Sequence, residues 1–157
     1  MAVKKIANGN NTILNMFKLL IDLEKCVKEK CKIERKKIEK SADMITINNL
    51  REDFKNKKMS ADKFLEQFSK IKLNILKSEL RDELIKCQID KCYSDTKKVI
   101  DNSVSHILNS KNYSKDEPVY KLAKKISNYK DKKLTIQDIK DLDIESHIKM
   151  YSKYIKK

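Results

Sequence analysis

Glycine and proline are almost missing from this chain, with Gly9 and Pro118 the single copies of each among its 157 residues. Hairpins, bulges and tight strand connections draw on both residue types, so their absence argues against a sheet and for helix throughout. One glycine also rules out the loops that cradle phosphates, because neither G-x-x-x-x-G-K-[ST] nor G-x-G-x-x-G can be written with it. Histidine is nearly as scarce: His106 and His147 are single histidines on helical segments, without the clustered carboxylate-and-nucleophile set that general acid–base or covalent catalysis requires. No H-E-x-x-H and no G-x-S-x-G occurs. The expectation is a protein that is not an enzyme and that calls for no cofactor.

Long hydrophobic runs are lacking too. The most apolar stretch, Ile13 to Leu23, is interrupted by Asn15, Lys18 and Asp22 and falls short of the ~20 residues that a bilayer crossing needs. Met1-Ala2-Val3-Lys4-Lys5 carries charge but opens no apolar signal region, so the protein is expected to be intracellular and not secreted, with no membrane span. Tryptophan is absent, and Phe17, Phe54, Phe64 and Phe68 fall at core-like positions of helical patterns. They do not build the basic, aromatic-studded platform on which single-stranded nucleic acid stacks.

What the chain has in quantity is lysine. With 39% apolar and 38% charged residues and a net charge of +14, it is too hydrophobic for a disordered tail yet must carry a densely charged surface. Acids interleave nearly every basic run, as in Lys28 to Lys37, and this spacing reads as solvated helix faces supporting themselves by i, i+4 pairs. A dedicated nucleic-acid surface would segregate its positive charge. Only Arg35, Arg51 and Arg81 are arginine, so any nucleic-acid binding would be nonspecific and salt-sensitive.

The order of elements follows from periodicity and caps. Residues 1–9 read as an arm, and Asn10, Asn11 and Thr12 offer N-cap chemistry to a first helix near 12–40, with Ile13, Phe17, Leu20, Leu23, Val27, Cys31 and Ile38 as its apolar face. A short helix around Thr46–Phe54 follows. From Ser60, another N-cap, three- and four-residue apolar steps predict one long helix to Asn109, bent near Tyr93-Ser94-Asp95. Ser114-Lys115-Asp116-Glu117 has the form of a capping box ahead of Pro118, and Thr135 with Asp138 has that of another. Asp143-Ile144-Glu145 is expected to open a last helix ending at the cations Lys156 and Lys157. The expected fold is all-α in a single domain: residues 10–112 form a long antiparallel helical pair, about 12–40 and 60–109, and 113–157 form a small helical cap.

All four cysteines lie in two near-copies of one pattern. Asp22-Leu23-Glu24-Lys25-Cys26 leads on to Lys30-Cys31, and Glu83-Leu84-Ile85-Lys86-Cys87 leads on to Lys91-Cys92. If the two helices run antiparallel, Cys26 lies level with Cys92 and Cys31 with Cys87, and two cross-links would close the hairpin. Against this, a five-residue step turns ~140° around a helix, so both cysteines of a pair cannot face one straight seam. Buried free thiols and a four-thiolate zinc site remain alternatives, although C-x2-C knuckles in turns, not helical CX4C pairs, are the usual zinc arrangement.

The paired CX4C helices resemble, in their logic, the twin-cysteine helical hairpins of the mitochondrial intermembrane space, which use CX3C or CX9C spacing. A small, Lys/Ile/Asn-rich, all-helical chain with such pairs also resembles the minor structural proteins of large cytoplasmic DNA viruses. That resemblance implies a virion location, disulfide roles for Cys26, Cys31, Cys87 and Cys92, and partners among the capsid or core proteins of a larger assembly. The expected function is therefore that of a structural or interaction protein, with nonspecific binding of nucleic acid as the alternative.

Overall fold

The computed structural model describes the backbone of residues 2–154 and the side chains of residues 14–154. Among the described residues there are eight helices and no strand: α1 Ala2–Lys30, α2 Lys32–Glu39, α3 Ala42–Lys55, α4 Ala61–Lys77, α5 Glu79–Lys91, α6 Tyr93–Asn109, α7 Pro118–Ser127 and α8 Ile136–Tyr151. The all-α expectation holds. The long helices do not: 12–40 is divided into α1 and α2 at Cys31, and 60–109 into α4, α5 and α6 at Ser78 and Cys92.

The break at Ser78 has a chemical cause. Its backbone is extended (ψ 157°), its hydroxyl donates to the Ile75 carbonyl at 2.7 Å, and the same oxygen accepts from the Arg81 N–H at 3.3 Å. One side chain thus closes α4, beside the Ser78 N–H that bonds the same Ile75 carbonyl at 3.1 Å, and opens α5 by satisfying an orphan N–H of its first turn. Ser41 does the same between α2 and α3, with Oγ to the Ile38 carbonyl at 2.6 Å and the Met44 N–H to Oγ at 3.3 Å. This extends the short helix expected over Thr46–Phe54 back to Ala42. Ser60 caps α4 through the Lys63 N–H, as expected.

The caps further along are mixed. Thr135 and Asp138 form a reciprocal capping box at α8. Ser114 and Glu117 form only half of one: the Glu117 carboxylate accepts from the Ser114 N–H, but Ser114 Oγ accepts from Asp116, and the helix starts at Pro118. Lys149 Nζ also reaches Glu117, at 2.8 Å, and its hydrogen bond together with that of Ser114 holds the Glu117 carboxyl below its ordinary range. No new helix opens at Asp143, which lies within α8 and bonds Arg81 of α5; its charge serves a tertiary pair and not a cap. α1 already runs through residues 2–12, so the expected arm is helical, and Asn10, Asn11 and Thr12 lie inside a helix with side chains outside the described residues. Lys156 and Lys157 also lie outside the described residues.

Two apolar clusters and an aromatic row hold the helices together. The larger joins Ile85, Ile100, Val104 and Ile107 to Val119, Ala123, Ile126, Leu134, Ile139 and Leu142. Residues after 113 thus supply most of this core and do not merely lie over it. The smaller cluster, Val27, Cys31, Leu84 and Cys87, sits at the cysteines. On the far side Phe54 stacks on Phe64 at 4.7 Å, Phe64 meets Phe68, and Phe68 meets Tyr151. His147 belongs to this row: buried, 4.9 Å from the Tyr151 ring and bonded through Nε2 to the Ser69 carbonyl at 2.9 Å, it joins α8 to α4.

Candidate functional site: the cysteine crossing and the groove beside it

The two CX4C copies meet in opposite order. Cys26 is bonded to Cys92 and Cys31 to Cys87, with Cα–Cα separations of 6.1 and 6.0 Å, inside the roughly 4.4–6.8 Å that disulfides span. Each bridge joins a cysteine inside a helix, Cys26 of α1 or Cys87 of α5, to one that stands at a helix junction, Cys92 or Cys31. All four sulfurs are spent in bridges. Cys31, Glu34 and Cys87 place potential ligand atoms within 4.8 Å of one another, but while the bridge stands no thiolate is available to a metal.

The helix-phase problem is solved by the junctions. Cys31 has φ −122° and ψ 36°, and Cys92 has φ −129° and ψ 37°, so both copies break at their second cysteine in the same way. Helical hydrogen bonding nonetheless continues on either side: Cys31 N–H to the Val27 carbonyl and Arg35 N–H to that of Cys31, Cys92 N–H to that of Gln88 and Thr96 N–H to that of Cys92. The change in ψ swings each second cysteine into the plane its partner occupies. The sulfur environments repeat as well, with Cys26 Sγ 3.8 Å from the Lys91 carbonyl and Cys87 Sγ 3.7 Å from that of Lys30. The crossing thus has approximate twofold symmetry built from an internal repeat. α1 packs on α6 and α2 on α5 to either side of it.

The bridges differ in exposure. Cys31 is fully buried and Cys87 nearly so, whereas Cys26 is half-buried beside its buried partner Cys92. Arg35 braces the α1–α2 junction by facing Glu24 and Glu39, and Lys37 reaches Glu83 at 3.4 Å across α2 and α5. Such exposed pairs add little stability. The covalent bonds and the buried cluster hold the crossing.

Towards its N-terminus α1 leaves this cover. Phe17 is 59% exposed, and Leu14 and Ile21 are each more than 60% exposed, which corrects the expectation that Phe17 is a core residue. Phe54 is also partly exposed, at the edge of the aromatic row. The reason at α1 is a shortage of neighbours: α2 and α5 pack at its cysteine end, leaving α6 alongside the rest. Between α1 and α6 runs a groove of about 740 Å³, lined by Met16, Phe17, Leu20, His106, Ile107 and Tyr113 with small polar side chains of α6 and α8, and among the described residues by no lysine or acid. His106 meets Tyr113 edge-on across its floor.

The sequence held a sign of this groove that the apolar stripe alone concealed. Leu14, Met16, Leu19 and Ile21 lie off the stripe, so the helix is apolar over more of its circumference than a single neighbour can cover. Nothing in the sequence marked Tyr113, which reaches the groove from the loop between α6 and α7. Set against protein-family models, curated proteins and solved structures, the chain matches none of them.

Proposed function

We propose that the protein is a structural interaction protein, a minor component of a virion or other large assembly, and that it docks through the exposed apolar side of α1 and the adjoining groove. The carrying observation is the cluster of large apolar side chains left in water on one helix, Leu14, Phe17, Leu20 and Ile21, in a protein whose surface is otherwise densely charged. The groove suits an amphipathic helix from another protein of the assembly: among the described residues it is lined by no lysine, arginine or acid, and the α6 stretch that borders it, from Asn102 to Asn109, covers about two helical turns. Lys18 and Lys111, next in sequence to its lining residues, favour a partner with acidic residues beside its apolar face. The crossed disulfides anchor the other end of α1, so the docking face is presented on a covalently fixed support and less ordering entropy is lost on binding.

The test is a double substitution, Phe17→Asp with Leu20→Asp. Both side chains are substantially exposed, so the purified variant should keep its helical circular dichroism and its melting temperature while losing incorporation into the native assembly. A folded variant that still assembles at the wild-type level would overturn the reading. Insensitivity of that incorporation to moderate salt is also expected, since apolar burial and not counterion release drives it.

A further inference from the structure

We propose that the outward face of α7 binds the phosphodiester backbone of nucleic acid, a second surface independent of α1. Of the eight described helices, α7 is the only one without an acidic residue: Pro-Val-Tyr-Lys-Leu-Ala-Lys-Lys-Ile-Ser carries Lys121, Lys124 and Lys125, whereas every other helix has at least two acids. The separation of charge that a polyanion surface requires, and that the rest of the chain avoids, is therefore met here. Lys115, Lys121 and Lys124 with Tyr120 line a surface depression of about 290 Å³. Among the described residues none of those three ammonium groups has a carboxylate within ion-pair distance. Glu117, the acid that precedes α7, is taken by Lys149 from α8.

The shape of the cationic surface selects among anions. Beyond α7 the charge continues through Lys130, Lys132 and Lys133, interrupted by Asp131 alone, so it is extended and suits a polymer better than a single phosphate. A membrane surface is disfavoured because a helix lying in the lipid interface exposes its apolar side chains, whereas Val119, Ala123 and Ile126 are buried in the main core. Tyr120, half-buried among the lysines, offers a ring face to an unpaired base. An acidic peptide would supply charge without regularly spaced phosphates or bases to use that ring.

Fluorescence anisotropy of the full-length oxidised protein with a labelled 20-nucleotide oligothymidylate, titrated with salt, tests this. Lys115→Gln, Lys121→Gln and Lys124→Gln together should weaken binding at least tenfold at low salt. They should also reduce the slope of log K against log salt by about 2, because each phosphate neutralised on a single strand adds ~0.7 to it. Lys32→Gln, Lys36→Gln and Lys40→Gln, the same charge change on and beside the acid-interleaved α2, should alter the slope by much less. All six side chains are exposed, and an unchanged melting temperature establishes that each variant is folded. Equal losses from the two triple variants would mean diffuse net charge and overturn the proposal. So would competition by polyglutamate as effective as that by unlabelled oligothymidylate, or binding to phosphatidylserine vesicles that depends on the same three lysines.

Discussion

Lys72 shows how a single charge can be carried at a cost. Burial pushes its pKa below the usual lysine value and the Arg81 guanidinium adds to this, while Asp143 pulls the other way and Arg51 repels weakly. A base with a depressed folded pKa favours folding at pH above its unfolded value of 10.5 and loses that contribution as pH falls through the folded value, so at neutral pH Lys72 works against the fold. Lys72→Met should raise the melting temperature at pH 7, by an amount reduced by solvent screening because the residue is only partly buried. The gain should shrink as pH approaches 10.5. A variant less stable than wild type at neutral pH would show that the Asp143 attraction dominates. Arg81 contrasts with it, being bonded to Asp143 and needed to compensate that carboxylate.

At the scale of the element, the junctions determine how the helices are divided. Ser78 serves two helices where Ser60 serves one. Loss of a capping hydroxyl typically costs about 1 kcal/mol, so Ser78→Ala should lower the melting temperature by roughly 2–4 °C, and Ser60→Ala should lower it less because its site is exposed and its single bond reaches only the Lys63 N–H. Thermal unfolding of the two variants in parallel checks the order; equal effects would mean that the Ser78 N–H, which also bonds the Ile75 carbonyl at 3.1 Å, suffices for it once the hydroxyl is gone. In the sequence the unbroken apolar period around Ser78 reads as continuous helix, although Glu79 and Asp82 follow it in the first turn of α5.

For the whole molecule the disulfides are nested, and their contributions should not add. Alone, either bridge closes a loop of 66 or 56 residues, which by chain entropy stabilises the fold by about 4 kcal/mol. Once one is closed, the other adds only a short ring through the two CX4C segments, an effective loop of about a dozen residues contributing about 3 kcal/mol. Cys26→Ala with Cys92→Ala should therefore cost about 3 kcal/mol, and removal of all four cysteines about 7 kcal/mol, less than twice the loss from one loop closed alone. Chemical denaturation of the oxidised variants measures both. Cys31→Ala with Cys87→Ala should cost more than the other pair, because those sulfurs also fill the buried cluster with Val27 and Leu84. Equal costs for the two pairs would show that chain entropy alone sets the contribution.

The helical class was determined by the sequence itself, because one Gly and one Pro leave nothing to build sheet turns from and because three- and four-residue apolar steps run through nearly every segment. The two copies of one pattern also offered a pairing of the cysteines, Cys26 with Cys92 and Cys31 with Cys87, on the condition that their helices run in opposite directions. The tertiary structure brings the sulfurs together as two bridges across backbone breaks of the same form at Cys31 and Cys92, and such a break does not show in a helical period. It also decided which apolar side chains are core. Phe17 and Val27 share one stripe of α1 in the sequence, but α2 and α5 cover only the cysteine end, so Val27 is buried and Phe17 faces water. Burial depends on how many neighbours surround a helix, and no periodicity within one helix contains that number.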